Sequence, residues 1–173
     1  MRLLLFPDNY VKSVYDIDFN KIKKLGFTSV IFDIDNTLVE HGAKANEKAI
    51  QLFSDLKKIG FNTCLISNNY KERVDIFNED IHSLYVCEAK KPSKKGFNKA
   101  LNLLNASASD VVFIGDQIFT DILGAKRVGI YSILSKPIHK DFEPFIIFKR
   151  KIEKIILFFY RFKNIELNLT KDE

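Results

Sequence analysis

Four polar side chains close or directly follow apolar runs of the sequence: Asp33, Asp35, Ser67 and Asp116. Residues that are two apart on an extended chain point to the same side, so Asp33 and Asp35 can face a common space. Adjacent carboxylates repel each other unless a cation or a shared proton lies between them. A third carboxylate, that of Asp116, follows another apolar run, which favours a bound cation over a shared proton. A site with only oxygen ligands favours Mg²⁺ over zinc.

A phosphate-binding arrangement is predicted around this cation. Lys91 and the backbone N–H groups near Asn36 and Ser67 would, together with Mg²⁺, surround a phosphoryl group. Each residue also has a purely structural explanation. Asp33 can simply end a strand, and Ser67 can cap a helix. Lys91 lies in the basic run 90–95, which is typical of a solvated surface.

The elements that must position these residues alternate between strands and helices. Apolar runs predict strands at 28–33, 61–67, 83–86, 111–114 and 129–134. Helical spacing of apolar residues predicts helices at 46–59, 70–77, 93–104 and 122–126. This alternation predicts right-handed crossovers and a doubly wound, Rossmann-like parallel sheet of the α/β class. Ligands of such sheets bind at the carboxyl ends of the strands.

Length and composition predict one compact, mildly basic domain. The chain has 173 residues, with 27 Lys and Arg against 22 Asp and Glu, which gives a net charge of +5. No apolar run approaches the roughly 20 residues that a membrane span needs, and the first apolar run is too short for a secretory signal. The 2 cysteines cannot form a disulfide framework, and no Cys/His cluster has zinc spacing. We therefore expect a cytoplasmic protein.

The C-terminal part of the sequence has a different pattern. Apolar residues recur three or four positions apart: Phe145, Phe148, Ile152, Ile155, Ile156, Phe159 and Phe162. Basic residues project from the opposite side of the helix that this spacing predicts: Arg150, Lys154 and Arg161. We expect a domain at 1–145, a basic amphipathic helix at 146–163 and a polar tail at 164–173. The helix either packs its apolar side on the domain or lies on an anionic membrane.

Four short motifs resemble those of the haloacid dehalogenase (HAD) superfamily. Residues 33–38 resemble its first motif, Asp-x-Asp-x-Thr after a hydrophobic strand, and Ser67 matches the second. Lys91 with Pro92 matches the third motif, and residues 115–121 match the Gly-Asp-x₄-Asp form of the fourth. The motifs occur in the order of the family, each at a predicted strand end or loop.

The resemblance implies catalytic roles for four residues. Asp33 would attack phosphorus as the nucleophile and form an aspartyl-phosphate. Asp35 would protonate the leaving oxygen and later deprotonate the hydrolytic water, and the presence of this acid favours a phosphatase over a dehalogenase. Ser67 would hydrogen-bond a phosphoryl oxygen, and Lys91 would neutralise charge in the transition state.

The resemblance also implies a metal site and substrate contacts. Mg²⁺ would be held by the carboxylates of Asp33 and Asp116 and by the backbone carbonyl of Asp35. Asp121 would support the cation through water or through Lys91. Substrate contacts are expected from three residues that follow the first two predicted strands: Asn36, Thr37 and Asn68.

The connections between the motifs are too short for a cap domain, so we expect a capless architecture with an open site. Residues 6–17, 90–97 and 115–124 are similar to the YqeG-type subfamily of capless HAD phosphatases. This subfamily is related to the mitochondrial phosphatidylglycerophosphate phosphatases of fungi and plants. The resemblance implies removal of the terminal phosphate from phosphatidylglycerophosphate, an anionic lipid, at the inner face of a membrane.

Two other functions remain open at the level of the sequence. The first is a soluble phosphatase for nucleotides or sugar phosphates, which would use the same residues. The second is a basic nucleic-acid-binding module without turnover, which would bind its partner through charge. No segment resembles an RNA-binding signature, and we expect no nucleic acid as a partner.

Overall fold

The computed structural model describes residues 4–140, 143–161 and 167–171, and a six-stranded sheet forms its centre. The strands are β1 (Asn9–Val11), β2 (Ser29–Phe32), β3 (Asn62–Ile66), β4 (Leu84–Val86), β5 (Val111–Gly115) and β6 (Tyr131–Ser135). Their order across the sheet is β1-β6-β5-β2-β3-β4, and all neighbouring strands are parallel. The predicted α/β fold with a parallel sheet is confirmed.

Six α-helices lie in the described residues. They are α1 (Phe19–Lys24), α2 (Glu47–Ile59), α3 (Lys71–Asn78), α4 (Lys94–Leu104), α5 (Leu123–Val128) and α6 (Pro144–Tyr160). A π-helical turn, Ile118–Ile122, leads directly into α5. Polar residues mark helix ends where the sequence predicts them: the Asn46 side chain accepts a hydrogen bond from Ala49 N–H at the start of α2, and Gly60, with φ of 87°, ends that helix.

The sheet has a separate apolar core on each face. Phe32 of β2 packs on α2, where its ring centroid lies 5.2 Å from that of Phe53. Ile31 belongs to the opposite core, in which Phe113 of β5 lies 5.3 Å from Phe97 of α4. All 4 residues of β2 and all 5 residues of β5 are buried, as is typical of parallel strands that helices cover on both faces.

The carboxyl ends of the central strands are aligned with one another. Phe32 pairs in register with Ile114 of β5 and with Leu65 of β3. The backbone N–H of Asp33 donates to the carbonyl of Ile114 at 2.9 Å, and Ser67 follows directly after β3. The polar residues that follow β2, β3 and β5 therefore meet at one edge of the sheet.

No additional domain is inserted at either of the two connections where a cap could lie. Between β2 and α2 the chain forms the loop 33–46, and between β3 and β4 it forms only α3 and its flanking turns. The capless architecture is confirmed.

The sequence does not predict β1 or α1, which lie in its N-terminal segment. A strand of 3 residues is too short to show an apolar alternation. The carboxylate of Asp8 joins this segment to the sheet, since it accepts a hydrogen bond from Ser132 N–H at 2.8 Å and pairs with Lys126. Leu169, from the predicted polar tail, is buried here, and its carbonyl accepts from Asp18 N–H at 2.8 Å.

The predicted C-terminal helix is present as α6, which begins before the predicted start at 146. The last positions of that prediction and part of the predicted tail, 162–166 and 172–173, lie outside the described residues, as does Phe162. In the part of the chain that the structure describes, every helix is too short or too polar to cross a membrane.

Candidate active site

Three buried carboxylates meet at the carboxyl edge of the sheet. Oxygen atoms of Asp33, Asp116 and Asp121 all lie within 4.8 Å of one another, and all three residues are buried. Asp33 follows β2, and the other two follow the neighbouring strand β5. The structure thus brings together three of the four residues to which the sequence assigns a metal ion.

The ammonium group of Lys91 lies among these carboxylates. Its Nζ is 2.5 Å from Asp33 Oδ1 and 2.7 Å from Asp121 Oδ1, and it donates to the carbonyl of Ile66 at 3.3 Å. Burial lowers the pKa of Lys91, but attraction to Asp121 and Asp33 outweighs this effect, so the pKa lies above its usual range. Lys91 is therefore a buried, charged residue of the site and not part of a solvated surface.

The turn after β5 returns Asp121 to the end of that strand. Asp121 Oδ2 accepts a hydrogen bond from the backbone N–H of Gln117 at 3.0 Å, across the π-helical turn. Gly115 allows this close return, because a Cβ at that position would lie 2.7 Å from the Cβ of Asp121. Turns of this π type are frequent at functional sites.

The turn after β2 brings Thr37 onto the carboxylate of Asp33. Thr37 Oγ1 donates to Asp33 Oδ2 at 3.1 Å. Asn36 has φ of 63°, a left-handed conformation that asparagine adopts more readily than most residues. Its backbone N–H donates to the carbonyl of Val39 at 2.7 Å, and its Oδ1 accepts from His139 N–H at 3.3 Å. Thr37 thus contacts the predicted nucleophile, while Asn36 shapes the turn.

The carboxylate of Asp35 is held by three donors. Asn69 Nδ2 donates at 2.7 Å, Arg73 Nη2 at 2.8 Å and Gly42 N–H at 2.9 Å. The metal contact of its backbone carbonyl stays a prediction. Arg73 was not identified from the sequence, because it lies on α3 and only the fold brings it to Asp35.

The residues after β3 hold the loop that carries Lys91. Asn68 Oδ1 accepts from the backbone N–H of Lys91 at 2.6 Å, and Asn68 Nδ2 donates to its carbonyl at 3.3 Å. Ser67 is buried, and its Oγ accepts from Asn69 N–H at 3.1 Å. Asn68 therefore positions Lys91, and the substrate contacts of Ser67 and Asn68 stay predictions.

The helix α6 adds an arginine that the sequence analysis places elsewhere. Arg150 Nη1 donates to the carbonyl oxygen of Asp116 at 2.5 Å, and Arg150 Nη2 pairs with Asp116 Oδ2. Glu153 lies 2.9 Å from Arg150 Nη1 through Oε2, and its Oε1 accepts from Ile118 N–H at 2.7 Å. Arg150 therefore faces the domain and not the exposed basic side expected for it. The signal in the sequence was its spacing from Glu153, since residues three apart on a helix can pair.

The site holds more negative charge than its two cations offset. Burial, above all, raises the pKa of Asp33 to about 6; Asp121 adds to the rise and Lys91 opposes it. Burial also raises the pKa of Asp116 well above its usual range, and Arg150 opposes that rise. Asp116 Oδ1 is buried and has no hydrogen-bond partner among the described residues. A surplus of buried negative charge and an unpartnered oxygen both fit a divalent cation with oxygen ligands.

Comparisons with known proteins identify the family of the chain. Residues 40–129 match the family model of the haloacid dehalogenase-like hydrolases. The chain is 34% identical over 158 residues to the Bacillus subtilis protein described as "Probable phosphatase YqeG". The matched region covers 91% of this chain and 92% of that protein. It is 26% identical over 168 residues to phosphatidylglycerophosphate phosphatase 1, chloroplastic/mitochondrial, of Arabidopsis thaliana, covering 90% of this chain but 48% of that protein.

A solved structure shows the same fold at lower identity. The HAD-hydrolase YfnB of Bacillus subtilis, solved with bound magnesium, matches with a TM-score of 0.52 and 14% identity over 68% of this chain and 90% of that one.

The family match and the YqeG similarity along most of the chain lead to one conclusion. The chain belongs to the haloacid dehalogenase-like hydrolase family. Within that family it is a phosphatase, and it is similar to YqeG over nearly its whole length.

Proposed function

We propose that the protein is a Mg²⁺-dependent phosphomonoesterase that works through an aspartyl-phosphate on Asp33. The observation that carries this proposal is the buried Asp33 carboxylate, which lies between Lys91 and Thr37 and close to Asp116 and Asp121. When bound, Mg²⁺ supplies positive charge that offsets the carboxylates and the phosphoryl oxygens. The magnesium in the related YfnB structure supports this choice of cation.

Four residues would hold the cation, all through oxygen: Asp33, Asp116, Asp121 and the backbone carbonyl of Asp35. Carboxylate and carbonyl oxygens are the protein ligands that Mg²⁺ prefers. The hydrogen bond from Gln117 N–H to Asp121 Oδ2 and the contact of Lys91 with Asp121 Oδ1 keep that carboxylate in place. Asp121 would thus bind the cation directly or through a water molecule, or it would act by holding Lys91 in place.

The first half-reaction transfers the phosphoryl group to Asp33. A bond forms between an Asp33 oxygen and phosphorus while the bond from phosphorus to the leaving oxygen breaks. Lys91 neutralises the charge that spreads over the transferring group. Asp35 gives its proton to the leaving oxygen, and the hydrogen bonds from Asn69 and Arg73 fix the direction of its carboxylate.

The second half-reaction hydrolyses the aspartyl-phosphate. Asp35, now ionised, takes a proton from a water molecule whose oxygen bonds to phosphorus, and Asp33 leaves as a carboxylate. Inorganic phosphate is then released. The hydroxyls of Ser67 and Thr37 would bind the phosphoryl oxygens during both steps. The backbone N–H of Asn36, for which the sequence predicts the same role, already donates to the carbonyl of Val39.

The proposed substrate is the head group of phosphatidylglycerophosphate, which the reaction would convert to phosphatidylglycerol. Without a cap domain, the site can admit a head group that is still attached to a bilayer. The similarity to the Arabidopsis phosphatidylglycerophosphate phosphatase extends over 90% of this chain, which supports this substrate.

The helix α6 would give the domain a peripheral contact with an anionic membrane. Five exposed side chains, spaced three or four apart, form what we call the apolar stripe: Phe145, Phe148, Ile152, Ile155 and Phe159. Lys151 and Lys154 are exposed on the same helix. These five residues face solvent, whereas Ile156, which belongs to the same predicted apolar side, is half-buried against the domain. Apolar residues with nearby lysines suit the head-group region of anionic lipids.

This proposal also divides the chain by role. The predicted domain at 1–145 would carry out catalysis, and the predicted helix, which the structure describes as Pro144–Tyr160, would contact the inner face of the membrane.

The test measures phosphate release from phosphatidylglycerophosphate in anionic vesicles, with Mg²⁺ or with EDTA. We expect release by the wild type with Mg²⁺ and none by Asp33→Asn. Asp80→Asn is the matched control, because Asp80 is exposed and should leave the rate unchanged. Release by Asp33→Asn at the wild-type rate would overturn the mechanism.

The same assay separates the other candidate functions. Turnover of nucleotide or sugar phosphates without turnover of the lipid would support the phosphatase and overturn the lipid substrate. Salt-sensitive binding of nucleic acid that survives Asp33→Asn, with no hydrolysis of any phosphomonoester, would overturn the enzymatic proposal as a whole.

A further inference from the structure

We propose that Arg150 is a positioning residue that orients the carboxylate of Asp116 towards a divalent cation, so that α6 forms part of the cation site. The inference rests on the proposed function, which places a cation among Asp33, Asp116 and Asp121. It goes beyond that function because it assigns a role in cation binding to a helix outside the four motifs.

The contact between Arg150 and Asp116 involves two acceptor atoms of the same residue. Arg150 Nη1 donates to the backbone carbonyl oxygen at 2.5 Å, and Nη2 pairs with Oδ2. A planar guanidinium that binds a carbonyl and a carboxylate oxygen together holds the side chain in one orientation. The remaining oxygen, Oδ1, is buried without a hydrogen-bond partner among the described residues. One oxygen of Asp116 is thus held by protein, and the other is available to a cation.

Glu153 fixes Arg150 relative to the turn that carries the proposed ligands. Glu153 Oε2 lies 2.9 Å from Arg150 Nη1, and Glu153 Oε1 accepts from Ile118 N–H at 2.7 Å. Ile118 begins the π-helical turn that contains Asp121. The two side chains, one helical turn apart on α6, therefore hold Asp116 and the start of this turn together.

Polar and apolar contacts both dock α6 on the domain, since the ring of Tyr160 also packs edge-on against Phe6 with centroids 5.9 Å apart. Glu153 is 5% exposed and Tyr160 is also 5% exposed, whereas the five residues of the apolar stripe face solvent. Ile156 and Leu157 are only half-buried against the domain. A helix that places an arginine and a glutamate on its inner side, and phenylalanines on its outer side, is not docked for apolar burial alone.

A different interpretation is that Arg150 occupies the place of the cation. A guanidinium in that role would be expected to pair with both carboxylate oxygens, which is the arrangement that arginine and aspartate favour. Here Oδ1 of Asp116 is left unpartnered, which favours orientation over competition. The two interpretations differ in sign, because removal of an orienting residue weakens cation binding and removal of a competitor strengthens it.

Calorimetric titration of the full chain with Mg²⁺ distinguishes these outcomes. We expect Arg150→Ala to bind Mg²⁺ roughly 10–100-fold more weakly than the wild type, as is typical for loss of an outer partner of a metal ligand. Arg150→Lys should recover part of the affinity, because it restores the charge without the paired geometry. Lys154→Ala, an exposed residue of the same helix, should bind as the wild type does.

Added guanidinium ion separates orientation of Asp116 from attachment of the helix. If Arg150→Ala releases α6, as hydrogen exchange of the amides at 144–160 would show, guanidinium can still occupy the vacated position beside Asp116. Recovery of Mg²⁺ affinity on addition of guanidinium, to a greater extent than with sodium at equal ionic strength, would support a direct action on Asp116.

Two results would overturn the inference, and they affect the proposed function differently. Mg²⁺ affinity in Arg150→Ala equal to or higher than that of the wild type, with Mg²⁺-dependent hydrolysis by the wild type, overturns the role of Arg150 alone. A wild-type chain that binds no Mg²⁺ overturns both the inference and the metal dependence on which it rests.

Discussion

The Nζ atom of Lys91 lies 2.5 Å from Oδ1 of Asp33, and both residues are buried. Burial nevertheless raises the pKa of Asp33 to about 6, with a contribution from Asp121, so the nearby ammonium does not fully offset its environment. Ionised carboxylates that lack full compensation in a protein interior reduce the stability of the fold. The negative charge of this site should therefore lower the free energy of unfolding when no cation is bound.

The first prediction is that Asp33→Asn stabilises the cation-free protein at neutral pH while it abolishes hydrolysis. Burial disfavours the ionised form of Asp33 in the folded chain, where its pKa is about 6 instead of the ordinary 3.8. Removal of the charge should therefore raise the free energy of unfolding by on the order of 1–3 kcal/mol. Urea unfolding in EDTA measures it, with Asp80→Asn as the exposed control. A midpoint below that of the wild type would contradict the prediction.

The second prediction concerns pH. The pKa of Asp33 is 3.8 in an ordinary setting and about 6 in the fold, so between these values the folded chain holds a proton that the unfolded chain has lost. The stabilising contribution of this bound proton is complete below pH 3.8 and is lost as the pH rises through about 6. The raised pKa of Asp116 acts in the same direction.

Thermal unfolding in EDTA tests this pH dependence by comparison of the wild type with Asp33→Asn. The wild type should lose stability relative to the variant as the pH rises through this range. Saturating Mg²⁺ should remove the relative loss, because the cation binds the ionised carboxylates. Parallel curves in EDTA would mean that Asp33 titrates as an ordinary carboxyl group.

The third prediction is that Gly115→Ala displaces Asp121. The new Cβ would lie 2.7 Å from Asp121 Cβ, and Asp121 is 1% exposed, so it has little room to move. We expect a loss of roughly 1–3 kcal/mol in stability and a fall of about tenfold or more in hydrolysis. Gly26→Ala is the control for activity: its φ of 96° disfavours alanine and costs stability, but Gly26 precedes β2, away from the site, and no atom lies within 4 Å of its Cβ position, so hydrolysis should be unchanged. Full activity in Gly115→Ala would contradict a catalytic need for this placement of Asp121.

The cluster of acidic residues could be predicted from the sequence because its geometry is set locally. Asp33 and Asp116 each follow an apolar run directly, and parallel strands that are neighbours must end at the same edge. Asp121 lies within the same short segment as Asp116. Neither inference required knowledge of how a helix packs.

Arg73 and Arg150 could not be predicted in this way, because each reaches the site from a helix. The position of a helical side chain depends on which side of the helix faces the domain, and amphipathicity places the apolar side inward. α6 reverses that rule, since Arg150 and Glu153 face the domain while Phe148 and Ile155 face solvent. The pattern therefore misplaced Arg150, whereas Lys154 and Arg161 are exposed as expected.

The last prediction is that the apolar stripe controls binding to vesicles. Phe148 and Phe159 are 59% and 58% exposed. Burial of a phenylalanine contributes about 1.5–3 kcal/mol, and an aspartate in its place would be repelled by anionic lipids. The double variant Phe148→Asp, Phe159→Asp should therefore sediment with phosphatidylglycerol vesicles roughly 100-fold more weakly than the wild type.

A control with the same change in charge separates the stripe from general hydrophobicity. The control is the double variant Ile76→Asp, Leu103→Asp, whose replaced side chains are 44% and 42% exposed on α3 and α4. It should sediment with vesicles nearly as the wild type does. Both double variants should hydrolyse a water-soluble aryl phosphate at the wild-type rate, because the four replaced side chains lie at the surface. Equal loss of vesicle binding in the two variants would assign the effect to net charge, and unchanged binding in the stripe variant would mean that another surface meets the membrane.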